Sequence, residues 1–429
     1  MTAYLPLLPI YRRATAALGP ISGGLLKWRQ SRGKEDAARM GERMGRPSAA
    51  RPAGRLAWLH GASVGEGIAL LPLIDTLMRR GFHVLVTTGT MTSAAVLARR
   101  LPPGALHQFV PLDVPRFMTR FVDHWRPDIV LLAESELWPN LLCAVKERGV
   151  PLVVVNARLS ARSAARWGRA PRMIGALLAR TDLCLAQTQD DATRLMRLGA
   201  PRVQVAGNLK YDVAPPPVDA ARLAELLAAI GRRPVWIAAS THAGEEALIG
   251  AVHARLKLRF GALLTIIAPR HPERGPEIAA ELTGGGLVVA ARSLGAPLTP
   301  HTDIYLADTI GELGLLYRAA GIVFMGKSLG GSGGQNPIEP AKLDCAILHG
   351  PQVGNFEEVY AVLDAAGGAR VVNDAPALAR EVAALLSDER ARRDMARLGG
   401  EAVDRLGGAA ERVMRAVEPY FMQMSVEGR

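Results

Sequence analysis

At 429 residues the chain exceeds what one hydrophobic core serves, roughly 250–300 residues, so two domains are expected. A hydrophobic fraction of 49% excludes a disordered chain, and three scattered cysteines (Cys143, Cys184 and Cys345) exclude a disulfide framework or a cysteine-built zinc site. The net charge of +12 is uneven: residues 1–60 hold 11 Lys/Arg against 3 Asp/Glu, which points to an anionic partner near the N-terminus, either nucleic acid or anionic lipid.

The run Ala14–Leu26 is uncharged but spans 13 residues and contains Gly19, Pro20, Gly23 and Gly24. A membrane-spanning helix needs about 20 apolar residues. Arg12 and Arg13 precede the run, Lys27, Arg29 and Arg32 follow it, and Tyr4, Tyr11 and Trp28 lie at its edges. That pattern predicts a segment lying on a membrane surface. A signal peptide fits less well, because no small-residue cleavage site precedes the basic run. Residues 1–50 are therefore expected to be a basic, membrane-associating segment.

From residue 55 strand and helix patterns alternate. Arg55–His60, Val84–Thr87, Ile129–Ala133, Leu152–Val155 and Leu183–Ala186 read as buried strands, with a helix expected from about Gly67 to Arg80. Three prolines at 215–217 make a stiff linker and the best domain boundary. The alternation restarts with Val235–Ala239, Leu263–Ala268, Leu287–Ala290, Ile304–Ala307, Gly321–Met325, Ala346–Leu348 and Ala369–Val372, and helix fills the chain beyond about Ala377. The expected architecture is α/β: two Rossmann-like domains facing across a cleft, residues 51–213 and 214–429. In such sheets ligands bind beyond the carboxyl ends of strands, so the loops there are the ones to read.

In the first half, His60-Gly61-Ala62-Ser63-Val64-Gly65-Glu66 leaves a strand and opens a helix. Glu66 is a candidate general base, or a first-turn glutamate stabilising the helix dipole. Glu134-Ser135-Glu136 puts two carboxylates at another strand end, one to cap a helix and one to face ligand. No Asp-x-Asp motif is present and no third ligand is evident, so no metal site is expected. Arg158, Arg162 and Arg166, four residues apart, suggest a basic stripe on one helix face. Lys210, just before the prolines, would offset a phosphate or carboxylate, or is an ordinary surface lysine.

In the second half, Ser240-Thr241-His242 is a weak anion-site pattern. Pro269-Arg270 ends a strand, where an arginine fork can pair with phosphate. Ile310-Gly311-Glu312 offers backbone donors at a helix start. The stretch Gly326–Pro340 carries five glycines, a pliable loop of the kind that approaches phosphate. Asn336 should then cap a helix with Pro337 at its first position, followed by Ile338 and by Glu339, placed to hold ribose hydroxyls. Gly326-Lys327-Ser328 lacks the spacing of a Walker A motif.

Taken in order, His60–Glu66, Glu134–Asn140, Asn156–Arg162, Gly207–Asp212, Pro269–Arg274, Asp308–Leu313 and Gly334–Glu339 resemble the 3-deoxy-D-manno-octulosonic acid (Kdo) transferases of lipopolysaccharide assembly. The similarity covers nearly the whole chain, including Gly41-Glu42-Arg43. It departs from the family at Gln335, where some relatives have His, and at Lys327, where glycine is frequent. The resemblance implies a GT-B glycosyltransferase that inverts configuration, CMP-Kdo as donor, and a lipid A precursor (lipid IVA) as acceptor at the cytoplasmic face of the inner membrane. It implies Glu66 as base, Glu134 and Lys210 as groups stabilising the transition state, and a CMP site formed by Pro269, Arg270, Ile310, Gly311, Glu312, Asn336, Pro337, Ile338 and Glu339. No cofactor, protein-bound metal or nucleic acid is implied. Two readings compete: a transferase or epimerase acting on UDP-sugars with the same fold, and a basic protein that binds RNA or anionic lipid without turnover. The first 60 residues hold few aromatics and no recognised RNA-binding module, which counts against RNA.

Overall fold

A computed structural model describes residues 7–330 and 333–426. Tyr4, and Gly331 and Ser332 of the glycine-rich stretch, lie outside the described residues. The chain forms two compact units, one of residues 1–213 with 407–429 and one of residues 214–406.

The first unit is built on a seven-stranded sheet of β1 (Leu56–His60), β2 (His83–Thr88), β3 (Leu106–Phe109), β4 (Ile129–Ala133), β5 (Leu152–Ala157), β6 (Leu183–Ala186) and β7 (Val203–Val205). Their order is β3-β2-β1-β4-β5-β6-β7, and every pairing is parallel. The second unit repeats the plan with β8 (Val235–Thr241), β9 (Leu264–Pro269), β10 (Val289–Ala291), β11 (Ile304–Leu306), β12 (Ile322–Met325), β13 (Ala346–His349) and β14 (Ala369–Val371). Its order is β10-β11-β9-β8-β12-β13-β14, again all parallel. The central strands are continuous apolar runs because helices cover both faces, as in β4, Ile-Val-Leu-Leu-Ala, which is buried throughout. Strand order reverses direction between β1 and β4, and again between β8 and β12. Loops leaving the two strands there diverge and open a crevice at their carboxyl ends.

Three details differ from the sequence expectation. The helix expected over Gly67–Arg80 is two, Val64–Ala69 and Leu71–Arg79, because Pro72 sits in the first turn of the second and cannot continue the first. The arginine stripe is shorter: Ser160 caps a helix over Ala161–Trp167, so Arg158 precedes it and only Arg162 and Arg166 lie on it. The second domain does not run to the chain end. Helix Ala409–Val426 belongs to the first unit, where Val413, Val417 and Phe421 join the core beneath Leu59, Val86 and Leu185. Phe421 stacks on Phe82 at 4.9 Å.

The N-terminal residues from Leu7 on are part of the first unit rather than an appendage. Leu8 shares a core with Trp58 and Phe121. The buried carboxylate of Glu42 accepts the Phe109 N–H at 2.6 Å and both arms of Arg39 at 2.9 Å. Arg43 is buried and donates to the Val110 carbonyl at 3.0 Å and to Glu35 at 2.9 Å. These contacts strap residues 39–43 along β3. No helix among the described residues is long and apolar enough to cross a membrane.

Asp212 ties the terminal helix to the first unit by accepting the Gly408 and Ala410 N–H groups, both at 2.6 Å. Asp212→Ala leaves those helix-start donors unpaired and should cost about 1–2 kcal/mol. Five of the six tryptophans lie in the first unit and Trp236 alone in the second. Urea unfolding followed by total tryptophan fluorescence should therefore show the loss; an unchanged midpoint would mean that apolar packing alone holds the helix.

Candidate active site

Glu66 comes directly out of the β1 turn. Gly61 lets the chain double back: a Cβ there would lie 3.0 Å from the Glu66 backbone. Ser63 then caps helix Val64–Ala69 in a capping box. Its Oγ accepts the Glu66 N–H at 3.3 Å, and the Glu66 carboxylate accepts from the Ala62 N–H at 2.7 Å and the Ser63 hydroxyl at 2.9 Å. A capping glutamate is ordinarily a stronger acid than a free one, since those bonds favour its anion. Here the pKa is raised: burial acts most strongly, and the negative charges of Glu136 and Glu134 add to it, against the Ser63 and Ala62 bonds. The side chain therefore caps its helix and is also a strengthened base.

Glu134 follows β4 with a left-handed backbone, φ +52°, while its N–H keeps the ladder by donating to the Val155 carbonyl at 2.9 Å. Its carboxylate accepts from Lys210 Nζ at 3.0 Å. Lys210 is fixed from below: Asn208 caps the short turn Leu209–Tyr211 that carries it, and Asn156 Oδ1 accepts the Leu209 N–H at 2.9 Å. Asn156 is buried and also left-handed, φ +52°. Helix Val64–Ala69 contacts the Lys210 turn, so Glu66, Glu134 and Lys210 gather at one edge of the sheet.

Two further residues belong to this edge. Glu136 accepts the Trp138 indole N–H at 2.6 Å and lies 3.6 Å from His60 Nε2. Burial raises its pKa, but the adjacent His60 ring and the Trp138 hydrogen bond outweigh it and leave the pKa lowered. His60 is fully buried; its Nδ1 lies 2.9 Å from Thr87 Oγ1, while Nε2 has no hydrogen-bond partner among the described residues. A cavity of about 200 Å³ adjoins it, lined by His60, Ala62, Glu136, Trp138, Arg43 and Arg29. Sequence reasoning did not single out His60, since a histidine ending a strand carries no signal of its own; the strand register against Thr87 is what reveals it.

In the second unit the expected nucleotide segments lie at the carboxyl ends of β11, β9 and β12. Pro269 ends β9, and the Arg270 N–H donates to the Thr241 carbonyl at 3.0 Å. The Arg270 side chain is exposed and makes no ion pair among the described residues. Ile310 is 74% exposed, and Gly311 has φ +85°. Glu312 is engaged within the protein: Arg292 grips its carboxylate at 2.5 and 2.7 Å, with Thr309 and Arg222 adding contacts. The Arg292 hydrogen bonds hold its pKa down to about 2. What this segment has left to offer is backbone, not a carboxylate. Asn336 Oδ1 accepts the Ile338 N–H at 3.1 Å, but the helix runs from Ile338 to Ala341 with Pro337 at its cap, one residue later than expected. The half-buried Glu339 lies in its first turn. Tyr360 secures this stretch, its hydroxyl donating to the Gln335 carbonyl at 2.8 Å. The glycine-rich stretch differs most from expectation: the N–H groups of Lys327, Ser328 and Leu329 already donate to Glu245, at 2.7, 3.2 and 3.3 Å.

The chain is similar to known proteins over most of its length. Residues 38–213 match the family model described as 3-deoxy-D-manno-octulosonic-acid transferase (kdotransferase). The chain is 38% identical to a probable 3-deoxy-D-manno-octulosonic acid transferase, mitochondrial, of Arabidopsis thaliana, over 83% of this chain and 82% of that protein. It is 36% identical to the 3-deoxy-D-manno-octulosonic acid transferase of Bordetella pertussis, over 96% of this chain and 99% of that one. Among solved structures, a glycosyltransferase from Rickettsia africae aligns with 86% of this chain and 98% of its own at TM-score 0.56 and 12% identity. The UDP-GlcNAc 2-epimerase of Neisseria meningitidis aligns with 85% and 100% at TM-score 0.58 and 15% identity. The structural likenesses establish the GT-B fold, which transferases and epimerases share, and the sequence identities separate the two. The chain belongs to the 3-deoxy-D-manno-octulosonic acid transferase family.

Proposed function

We propose that this chain transfers Kdo from CMP-Kdo to a lipid A precursor with inversion at the anomeric carbon, with Glu66 as the base. The observation that carries the residue-level reading is a half-buried carboxyl of raised pKa beside the Glu134–Lys210 pair, at the carboxyl edge of a parallel sheet. A base works best when its pKa approaches the working pH, and burial moves Glu66 that way. In the step, the acceptor hydroxyl oxygen bonds to the anomeric carbon and its proton passes to Glu66. The bond from that carbon to the phosphate oxygen breaks, and its electron pair leaves with CMP. Kdo is itself an acid, so the reacting centre carries negative charge. Lys210, held by Glu134, supplies a fixed cation against it. On the donor side Arg270 is available for phosphate, while the backbone of residues 310–312 and 336–338, with the Glu339 carboxylate, suits cytidine and ribose. The reading calls for no cofactor and no nucleic acid.

The lipid acceptor and the cytoplasmic face of the inner membrane fit the N-terminal surface. Leu7, Ile10, Leu18, Ile21, Leu25 and Trp28 are all more than two-fifths exposed. Arg13, Lys27 and Arg32 lie among them, a combination that suits an anionic membrane surface.

Glu66→Gln should lower kcat for transfer from CMP-Kdo to tetra-acylated lipid A precursor by about 10²–10⁴-fold while CMP binding persists; wild-type rates in the variant would move the base elsewhere. Lys210→Ala should reduce kcat far more than it raises KM, by about 10²-fold, and a change confined to KM would make it a binding group. Glu136→Gln removes a negative charge that raises the Glu66 pKa. Glu66 acts deprotonated, so activity falls on the acid side of its pKa, and the acid limb of kcat/KM should move to lower pH in the variant. A limb that stays put or moves up excludes Glu66 as the group it reports.

A further inference from the structure

Backbone N–H groups from two loops converge on the carboxylate of Glu245, the first residue of helix Glu245–Lys257. Oε2 accepts from His242 at 3.0 Å and Lys327 at 2.7 Å. Oε1 accepts from Ser328 at 3.2 Å, Leu329 at 3.3 Å and, at the limit of the range, Gly330 at 3.5 Å. The side chain is 1% exposed, and no cation pairs with it among the described residues. Successive amides pointing into one concavity form an anion site, and here the chain's own carboxylate fills it.

The surroundings are shaped to this arrangement. Lys327 has φ +59°, which turns its N–H toward Glu245. A Cβ on Gly326 would lie 2.6 Å from the Ser240 carbonyl oxygen, and one on Gly330 would lie 3.3 Å from Glu245 Cγ. Gly334 N–H donates to the Lys327 carbonyl at 3.0 Å, so the conformation of Lys327 is passed on to the segment that begins helix Ile338–Ala341. A buried carboxylate without a cation is costly unless its lone pairs are satisfied, and its loss would strand the same donors without acceptors.

We propose that Glu245 is a positioning residue for donor binding. It is an internal anion that locks residues 327–330 to the loop after β8 and sets the course of residues 334–339. The donor phosphate is then received outside this amide nest, and nucleotide affinity depends on a residue that does not touch the nucleotide. The proposal rests on the reading that the second unit takes the CMP donor.

Glu245→Ala removes one methylene and the carboxylate, a volume that acetate refills. The test compares CMP binding by calorimetry, KM and kcat for CMP-Kdo, and the thermal midpoint in wild type, Glu245→Ala and Glu245→Gln, with sodium acetate against sodium chloride at equal ionic strength. In Glu245→Ala the CMP Kd and the donor KM should rise about tenfold, with kcat within about twofold. Acetate should restore both in that variant and change nothing in wild type. CMP affinity in Glu245→Ala equal to wild type overturns the proposal alone. A lower thermal midpoint with weakened binding that acetate does not recover overturns it too, since that marks a merely structural residue. Wild type that binds no CMP overturns the donor reading and the proposal with it. If Glu245→Ala does not fold, Glu245→Gln carries the test: about tenfold weaker CMP binding supports the proposal, and unchanged binding overturns it.

Discussion

A parallel strand covered on both faces has no side on which to keep a charged group. Every polar side chain that acts on a ligand must sit where the chain leaves the sheet. In both units that constraint is met by bending the backbone hard at the carboxyl end of a strand. Among the described residues six non-glycine residues have positive φ, and Glu134, Asn156, Ser240 and Lys327 lie at the ends of β4, β5, β8 and β12. Such a conformation costs on the order of 1–3 kcal/mol and persists only where neighbours hold it. Each holding contact is visible at Glu134, Asn156 and Lys327: the Glu134 N–H on Val155, the Asn156 amide oxygen on Leu209, and the Lys327 N–H on Glu245. The strain thus gathers where the candidate ligand-facing residues are.

Two glutamates at helix starts show how the same position yields opposite chemistry. Glu66 and Glu312 both precede or open a helix, and both accept nearby hydroxyls. Glu312 has Arg292 and Arg222 against it and is held down to about 2, a permanent anion that braces a loop. Glu66 has burial and two other carboxylates and is pushed up instead. Environment, not residue type or helix position, separates the brace from the candidate base. Glu136 completes the contrast, since its charge is settled by His60 and Trp138 and in turn raises Glu66.

Much of this was legible in the sequence where burial is complete. The central strands appear as unbroken apolar runs, and the loops after them contain Glu66, Glu134 and Arg270. The edge strands β3 and β7 escaped, because Leu-His-Gln-Phe and Val-Gln-Val are short, interrupted by polar residues and only partly buried. The terminal helix was recognisable as a helix, but its apolar stripe of Val413, Val417 and Phe421 does not say which core it will cover. The positions that depend on distant pairing were the least legible. His60 gains its meaning from Thr87, Lys210 from Glu134, and Glu245 from a loop more than eighty residues away.

The glycine-rich stretch shows why composition alone misdirects. Small residues allow close backbone approach, and a nucleotide phosphate is the usual reason to want it. Here the partner that approaches is the protein: Ser240 and Thr241 against Gly326, Ser328 against Gly350, and the Glu245 carboxylate against the amides between. Donors already bonded to an internal anion cannot also compensate a phosphate without breaking those bonds. The free electrostatics of the second unit therefore rest on groups left unspent, with Arg270 the clearest case at the end of β9. A loop rigidified in this way loses less conformational freedom when ligand binds, which is how a residue out of contact with a nucleotide can still govern its affinity.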